Sequence, residues 1–163
     1  MNKEFVSVRL LKKDDLSQLV KFRNDKKIWL STKRQGNFNK KKVTIKDENE
    51  WFKRVSTDKK RLNLAINLNE KYIGNIYFSN ITKTKAEFEI FIGDKSLWGR
   101  GIGFKSTKIA IHLFLSNYNV REIYLTVRKD NIPAQKLYAK CGFKLDKQYS
   151  KNDIYFMRYT VNN

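Results

Sequence analysis

The chain has 163 residues, 35 basic against 16 acidic side chains for a net charge of +19, and a single proline, cysteine and histidine. That length suits one domain over residues 1–163 with a core of its own. Lone Cys141 and His112 exclude an intrachain disulfide and a zinc set, and nothing resembles an export signal or a membrane span, so a metal-free cytoplasmic protein is expected.

Val6 to Leu11 reads as a first strand. Asp14 or Asp15 caps a helix carrying Leu16, Leu19, Val20 and Arg23 at helical spacing, ending near Asn24-Asp25. Trp29 to Lys42 lacks periodicity, carries many bases and reads as a surface loop. Thr44 with Asp47 forms a capping box for a helix placing Ile45, Phe52 and Val55 on one face, with Trp51 beside them. Leu62 to Leu68 and Tyr72 to Ile81 read as a hairpin. Lys85 to Ile92 is a third strand of the meander, with Phe88, Ile90 and Ile92 on one face and Glu87, Glu89 and Phe91 on the other.

Next comes a turn with glycines at alternate positions, Gly99, Gly101 and Gly103. The following helix carries the stripe Phe104, Thr107, Ile111, Phe114 and Leu115 and leaves His112 exposed. Glu122 to Val127 is a strand. Asn131 caps a last helix with Pro133 in its first turn and Gly142 after its end. Phe143 to Tyr149 and Ile154 to Val161 close as a hairpin. The order β-α-α-β-β-β-α-β-α-β-β is an α+β pattern with a βαβ unit around the glycine turn.

Glycines at a helix N-terminus let several unpaired N–H groups converge where the dipole is positive, a setting that binds phosphate or diphosphate. The dinucleotide pattern G-x-G-x-x-G and the Walker pattern both fail here, since Gly103 is followed by Phe104. A plain sharp turn is the other use of such glycines.

The stretch Trp98 to Gly103 resembles the acetyl-CoA diphosphate loop of the GNAT superfamily of N-acetyltransferases, [Q/R]-x-x-G-x-[G/A], with Trp98 departing from the first position. Asn131 to Phe143 is similar to the family's second signature, N-x-x-A-x-x-L-Y-x-x-x-G-F. The resemblance covers almost the whole chain. It implies a mixed, mostly antiparallel twisted sheet of about seven strands flanked by about four helices. Two subgroups are nearest: ribosomal-protein N-terminal acetyltransferases, and acetyltransferases of amino sugars on nucleotide carriers. Arg23-Asn24 and Trp51 look more like the second.

The resemblance further implies a site. Acetyl-CoA is the cosubstrate, its diphosphate on Trp98, Gly99, Arg100, Gly101, Ile102, Gly103 and Phe104. Its pantetheine arm pairs with the strand end at Phe91, Ile92 and Gly93, in a gap beside Tyr124 to Val127. Asn131 and Ala134 face the cofactor, and Tyr138 is the acid for the leaving thiolate. Glu87 is the preferred base, with Glu89 or a water chain as alternatives.

The acceptor amine is expected against Arg23, Asn24, Trp29 and Arg34. The positive charge favours a small anionic acceptor such as a nucleotide-linked amino sugar and disfavours a polyamine. A protein N-terminus or a charged tRNA is the alternative acceptor. Lysines spread along the whole chain also fit a compositional bias without a partner. A reading of another class is a non-catalytic basic module that binds nucleic acid, which the paired signatures make the lesser choice. The assembly stays open, with a homodimer among its forms.

Overall fold

The computed structural model describes residues 4–29 and 42–161. Strand β1 (Val6–Leu10) leads through a 3-10 turn (Lys13–Asp15) to helices α1 (Leu16–Asn24), α2 (Lys26–Trp29) and α3 (Ile45–Ser56). Strands β2 (Leu62–Leu68), β3 (Lys71–Ser79) and β4 (Lys85–Ile92) follow, then α4 (Ile102–Leu115), β5 (Glu122–Arg128), α5 (Ile132–Cys141), β6 (Lys144–Lys151) and β7 (Ile154–Thr160). The element order matches the expectation, apart from α2, a single turn where the loop was expected to begin.

All strands join one sheet in the order β1-β2-β3-β4-β5-β7-β6. Among the described residues only β4 and β5 run parallel, and their ladder holds three pairs, Lys85↔Glu122, Ala86↔Ile123 and Glu87↔Tyr124. Beyond Glu87 and Tyr124 the strands are no longer paired, which opens a gap in mid-sheet.

Side-chain alternation divides the core between the two sheet faces. One face sets Phe78, Phe88, Ile123 and Leu125 against Ile102, Ile111 and Phe114 of α4 and Tyr138 of α5. Phe114 stacks on Phe78 with ring centroids 4.0 Å apart. Each such ring contributes about 2–3 kcal/mol through burial. The other face sets Ala65, Tyr77 and Phe91 against Leu16, Leu19 and Phe22 of α1.

The second face also holds buried polar pairs. Asp15 receives two hydrogen bonds from Arg9 and one from the Lys12 amide. Tyr72 donates to Asn75, which is wholly buried. The capping box at α3 forms as expected, with Thr44 Oγ1 accepting from the Asp47 amide and the Asp47 carboxylate accepting from the Thr44 amide. The buried stripe of α3 departs from the expected one: Ile45 is half exposed, while Glu48 is buried beside Val55. A carboxylate takes the inward place because Arg23 waits there as its counter-ion.

Candidate active site

The glycine turn has the geometry its sequence demands. Gly99 and Gly101 take positive φ, +76° and +77°, and a Cβ at either would meet nothing within 4 Å. These glycines are therefore required by conformation and leave open space above the turn, the shape of an anion cradle. Gly101 is the N-cap of α4, so the orphan amides of the first turn face that space. Gly103 serves differently: a Cβ there would lie 2.7 Å from Leu137 Cδ1, so its absence lets α5 pack close to α4.

A cavity of about 850 Å³ starts at this turn and crosses the sheet through the gap. On the α4–α5 side it is walled by Ile90, Ile92, Ile102, Phe104, Asn131, Ala134 and Tyr138. On the far side it meets Glu89, Phe91, Tyr77 and Ile28, with Thr126 and Arg128 on the facing strand. One continuous space thus joins the glycine turn to the α1–α3 face. A carrier with a diphosphate at one end and a thioester at the other fits this path.

Backbone polarity along β4 follows from its register. The Gly93 amide donates to the Ile73 carbonyl, and the antiparallel register is unbroken from Gly74↔Ile92 to Ser79↔Glu87. Alternation therefore turns the amide groups of Phe91 and Gly93 toward β3, and those of Ile90 and Ile92 toward the gap. The expected pairing segment is corrected by this. Gly93 faces β3 and lies outside the cavity lining, and Phe91 contributes its ring. The Ile92 carbonyl accepts a hydrogen bond of 2.9 Å from Trp98 Nε1, so Ile90 presents the backbone edge closest to the centre of the gap.

Tyr138 sits at the crossing, buried, with Phe88 edge-on at 6.3 Å and Phe143 at 5.9 Å between ring centroids. Burial pushes its hydroxyl well above the ordinary phenol range, and the nearby Glu89 charge adds to the push. The proton stays on oxygen throughout the neutral range. Of the two strand carboxylates, Glu89 lines the cavity and Glu87 does not; Glu87 accepts from Asn80 Nδ2 at 2.9 Å. Both lie on the same strand face, which is why spacing alone did not separate them.

Other expected residues are held elsewhere. Arg100 pairs with Glu4 outside the lining, as an exposed pair of the kind worth at most about 1 kcal/mol and easily exchanged for a phosphate. Arg23 is committed: its Nε lies 2.5 Å from Glu48 and its guanidinium 4.8 Å from the Trp51 ring. Burial pushes the Glu48 carboxyl up, while Arg23 opposes the push. Asn24 donates to the Val20 and Val43 carbonyls and accepts from the Val43 amide, which pins the chain entering α3. Both side chains are thus held by neighbouring groups of the chain and lie outside the cavity lining. Arg34 and the Trp29 side chain lie outside the described residues.

Sequence reasoning missed Ile28, Tyr77, Ile90, Arg128, Lys136 and Lys140 as lining residues, while Thr126 falls in the stretch expected beside the gap. Alternation in β5 and the i, i+4 pair on α5 were the available signals.

The family follows from comparison. A model described as "Acetyltransferase (GNAT) domain" matches residues 6–144. The chain belongs to the GNAT family. It is 27% identical over 119 residues to the mycothiol acetyltransferase of Actinosynnema mirum, covering 71% of this chain and 38% of that protein. The structure resembles the spermidine N-acetyltransferase of Vibrio cholerae solved with CoA and spermine, at TM-score 0.82, 21% identity and 95% of each chain. It also resembles the N-acetyltransferase PseH of Campylobacter jejuni, at TM-score 0.71 and 19% identity over 96% of this chain and 99% of that one. The chain spans less than half the length of the curated relatives it matches, from 16% to 41%. Among the described residues no helix is long and apolar enough to cross a membrane, and no three His, Cys, Asp or Glu side chains group as a metal site.

Proposed function

We propose that this GNAT domain moves the acetyl group of acetyl-CoA directly to the primary amine of a small anionic acceptor, a nucleotide-linked amino sugar. The observation that carries the reaction type is the cavity itself, one space from the glycine cradle through the sheet gap to the α1–α3 face. The acceptor class rests on the +19 charge and on the sequence likeness at Arg23-Asn24 and Trp51. The same charge repels a polyamine.

Acetyl-CoA supplies an activated acyl group; the chain supplies position and proton handling. The N–H groups at Gly101 and the first turn of α4 hold the diphosphate, and Ile90 offers its backbone edge to the arm in the gap. Glu89, directly or through water, takes the proton that the acceptor ammonium must lose. The amine nitrogen then bonds to the thioester carbonyl carbon as the carbon–sulfur bond breaks. Tyr138 donates its proton to the departing sulfur, a role its burial suits because the phenol stays protonated, and it is reprotonated through solvent as the nitrogen gives up its second proton to form the amide. Phe91, Tyr77 and Ile28 form the apolar wall that keeps water from the acceptor end.

The test is release of free CoA, followed with a thiol reagent, across nucleotide-linked amino sugars, peptides with free N-termini, aminoacyl-tRNA and polyamines. Turnover with the sugars alone supports the reading. Turnover confined to peptides or tRNA moves the acceptor to those classes, and acetyl-CoA binding without turnover on any amine removes the catalytic reading.

A further inference from the structure

Trp98 stands where the family loop carries Gln or Arg, and its side chain is doing something unusual for an indole on a protein surface. The ring is 46% exposed, yet its Nε1 is fixed by a 2.9 Å hydrogen bond to the Ile92 carbonyl. It also lines the cavity, between the end of β4 and Gly99. A tethered aromatic ring loses little conformational entropy when a ligand packs on it, so it is ready to bind. Its exposed surface is apolar and lies one residue before the turn that faces the diphosphate.

The chemistry of the carrier decides what such a ring meets. In acetyl-CoA the group next to the diphosphate, on the way to the thioester, is the branched pantoyl unit with two methyls on one carbon. The path from the Gly99–Gly103 turn into the gap passes Trp98 at that place. We infer that the Trp98 ring, held by its bond to Ile92, is the wall against which the pantoyl methyls of acetyl-CoA pack, and so reads the pantetheine arm and not the nucleotide. This rests on the acetyl-CoA reading of the cavity. The tether also takes one lone pair of the Ile92 carbonyl, at the mouth of the gap.

Two ligands separate the parts of the carrier. Adenosine 3′,5′-bisphosphate carries phosphates without the arm, while CoA carries both. Burying the methyls on the ring predicts that Trp98→Ala weakens CoA by about tenfold. Binding of adenosine 3′,5′-bisphosphate should change by less than about twofold, both measured by calorimetry on the full chain. Trp98→Phe keeps an apolar ring without the tether and should recover part of the loss, with KM for acetyl-CoA moving more than kcat. Wild-type tryptophan emission should change on adding CoA, and that change should shrink in Trp98→Phe. Equal weakening of both ligands would make Trp98 a prop for the turn and overturn the inference, as would CoA affinity untouched by either variant. If Trp98→Ala does not fold, the Trp98→Phe emission and KM readouts decide. Failure of the wild type to bind CoA would instead sink the acetyl-CoA reading itself.

Discussion

The two faces of the sheet are built from different materials. On the α4–α5 side the glycine turn is made of backbone: two glycines at positive φ, the open amides of a helix N-terminus and a helix contact that excludes a Cβ at Gly103. On the α1–α3 side the packing is held by polar side-chain pairs: Arg23 with Glu48 from two different helices, and the local pairs Arg9 with Asp15 and Tyr72 with Asn75. The first kind of surface tolerates changes in side chains, whereas the second depends on particular residues meeting.

Substitutions sharpen this contrast. The largest effect is expected at Glu48→Ala, which leaves Arg23 buried without its carboxylate and should cost about 3–5 kcal/mol in chemical denaturation. CoA affinity of the folded protein should stay within about twofold, because the damage lies behind the acceptor wall. A matching loss of CoA affinity would show that the two faces are not independent.

Tyr138→Phe should lower kcat by about a hundredfold while KM for acetyl-CoA changes little, in steady-state assays. If kcat and KM move together, Tyr138 is packing and not the acid. Next, Glu89→Gln should lower kcat/KM by at least about tenfold, whereas Glu87→Gln should stay within about threefold. The reverse order would return the base to Glu87.

Gly101→Ala tests the backbone side. A Cβ there meets no atom, so the cost is conformational, about 1–2 kcal/mol for a positive φ. It should appear as up to about tenfold weaker CoA binding. The smallest effect concerns acid stability. Burial pushes the Asp15 carboxyl upward, but its bonds to Arg9 and the Lys12 amide outweigh this and hold it below its usual value. Its contribution is therefore present above about pH 4, the ordinary unfolded value, and lost as pH falls through the lower folded value. Urea midpoints of the wild type should drop across that window, and Asp15→Asn should flatten part of the slope.

The same contrast explains what could be read from the chain in advance. The strand boundaries of β4, the cap at Asn131 and the glycine turn were legible because each rests on local rules of alternation, capping or φ. Glu48 was not: a carboxylate three residues into a helix looks like a solvated first-turn acid until Arg23, far away in sequence, is folded against it. Nor could spacing choose between Glu87 and Glu89, since both share a face and only the end of the β4–β5 ladder tells which one meets the opening. Nor did the sequence show the partners of Arg23 and Asn24, which are Glu48 and the backbone of Val20 and Val43.

The three-pair seam between β4 and β5 has a further consequence. Two sheet halves, β1 to β4 and β5 to β7, are stitched along less than half of the strands that should join them. An extended thioester arm lying in that seam would act as a missing strand, tying the halves together each time it enters and loosening them each time it leaves. Amide exchange at Ile90 and Thr126 should then slow on cofactor loading more than anywhere else in the sheet, so that the enzyme's rigidity is borrowed from its own cosubstrate.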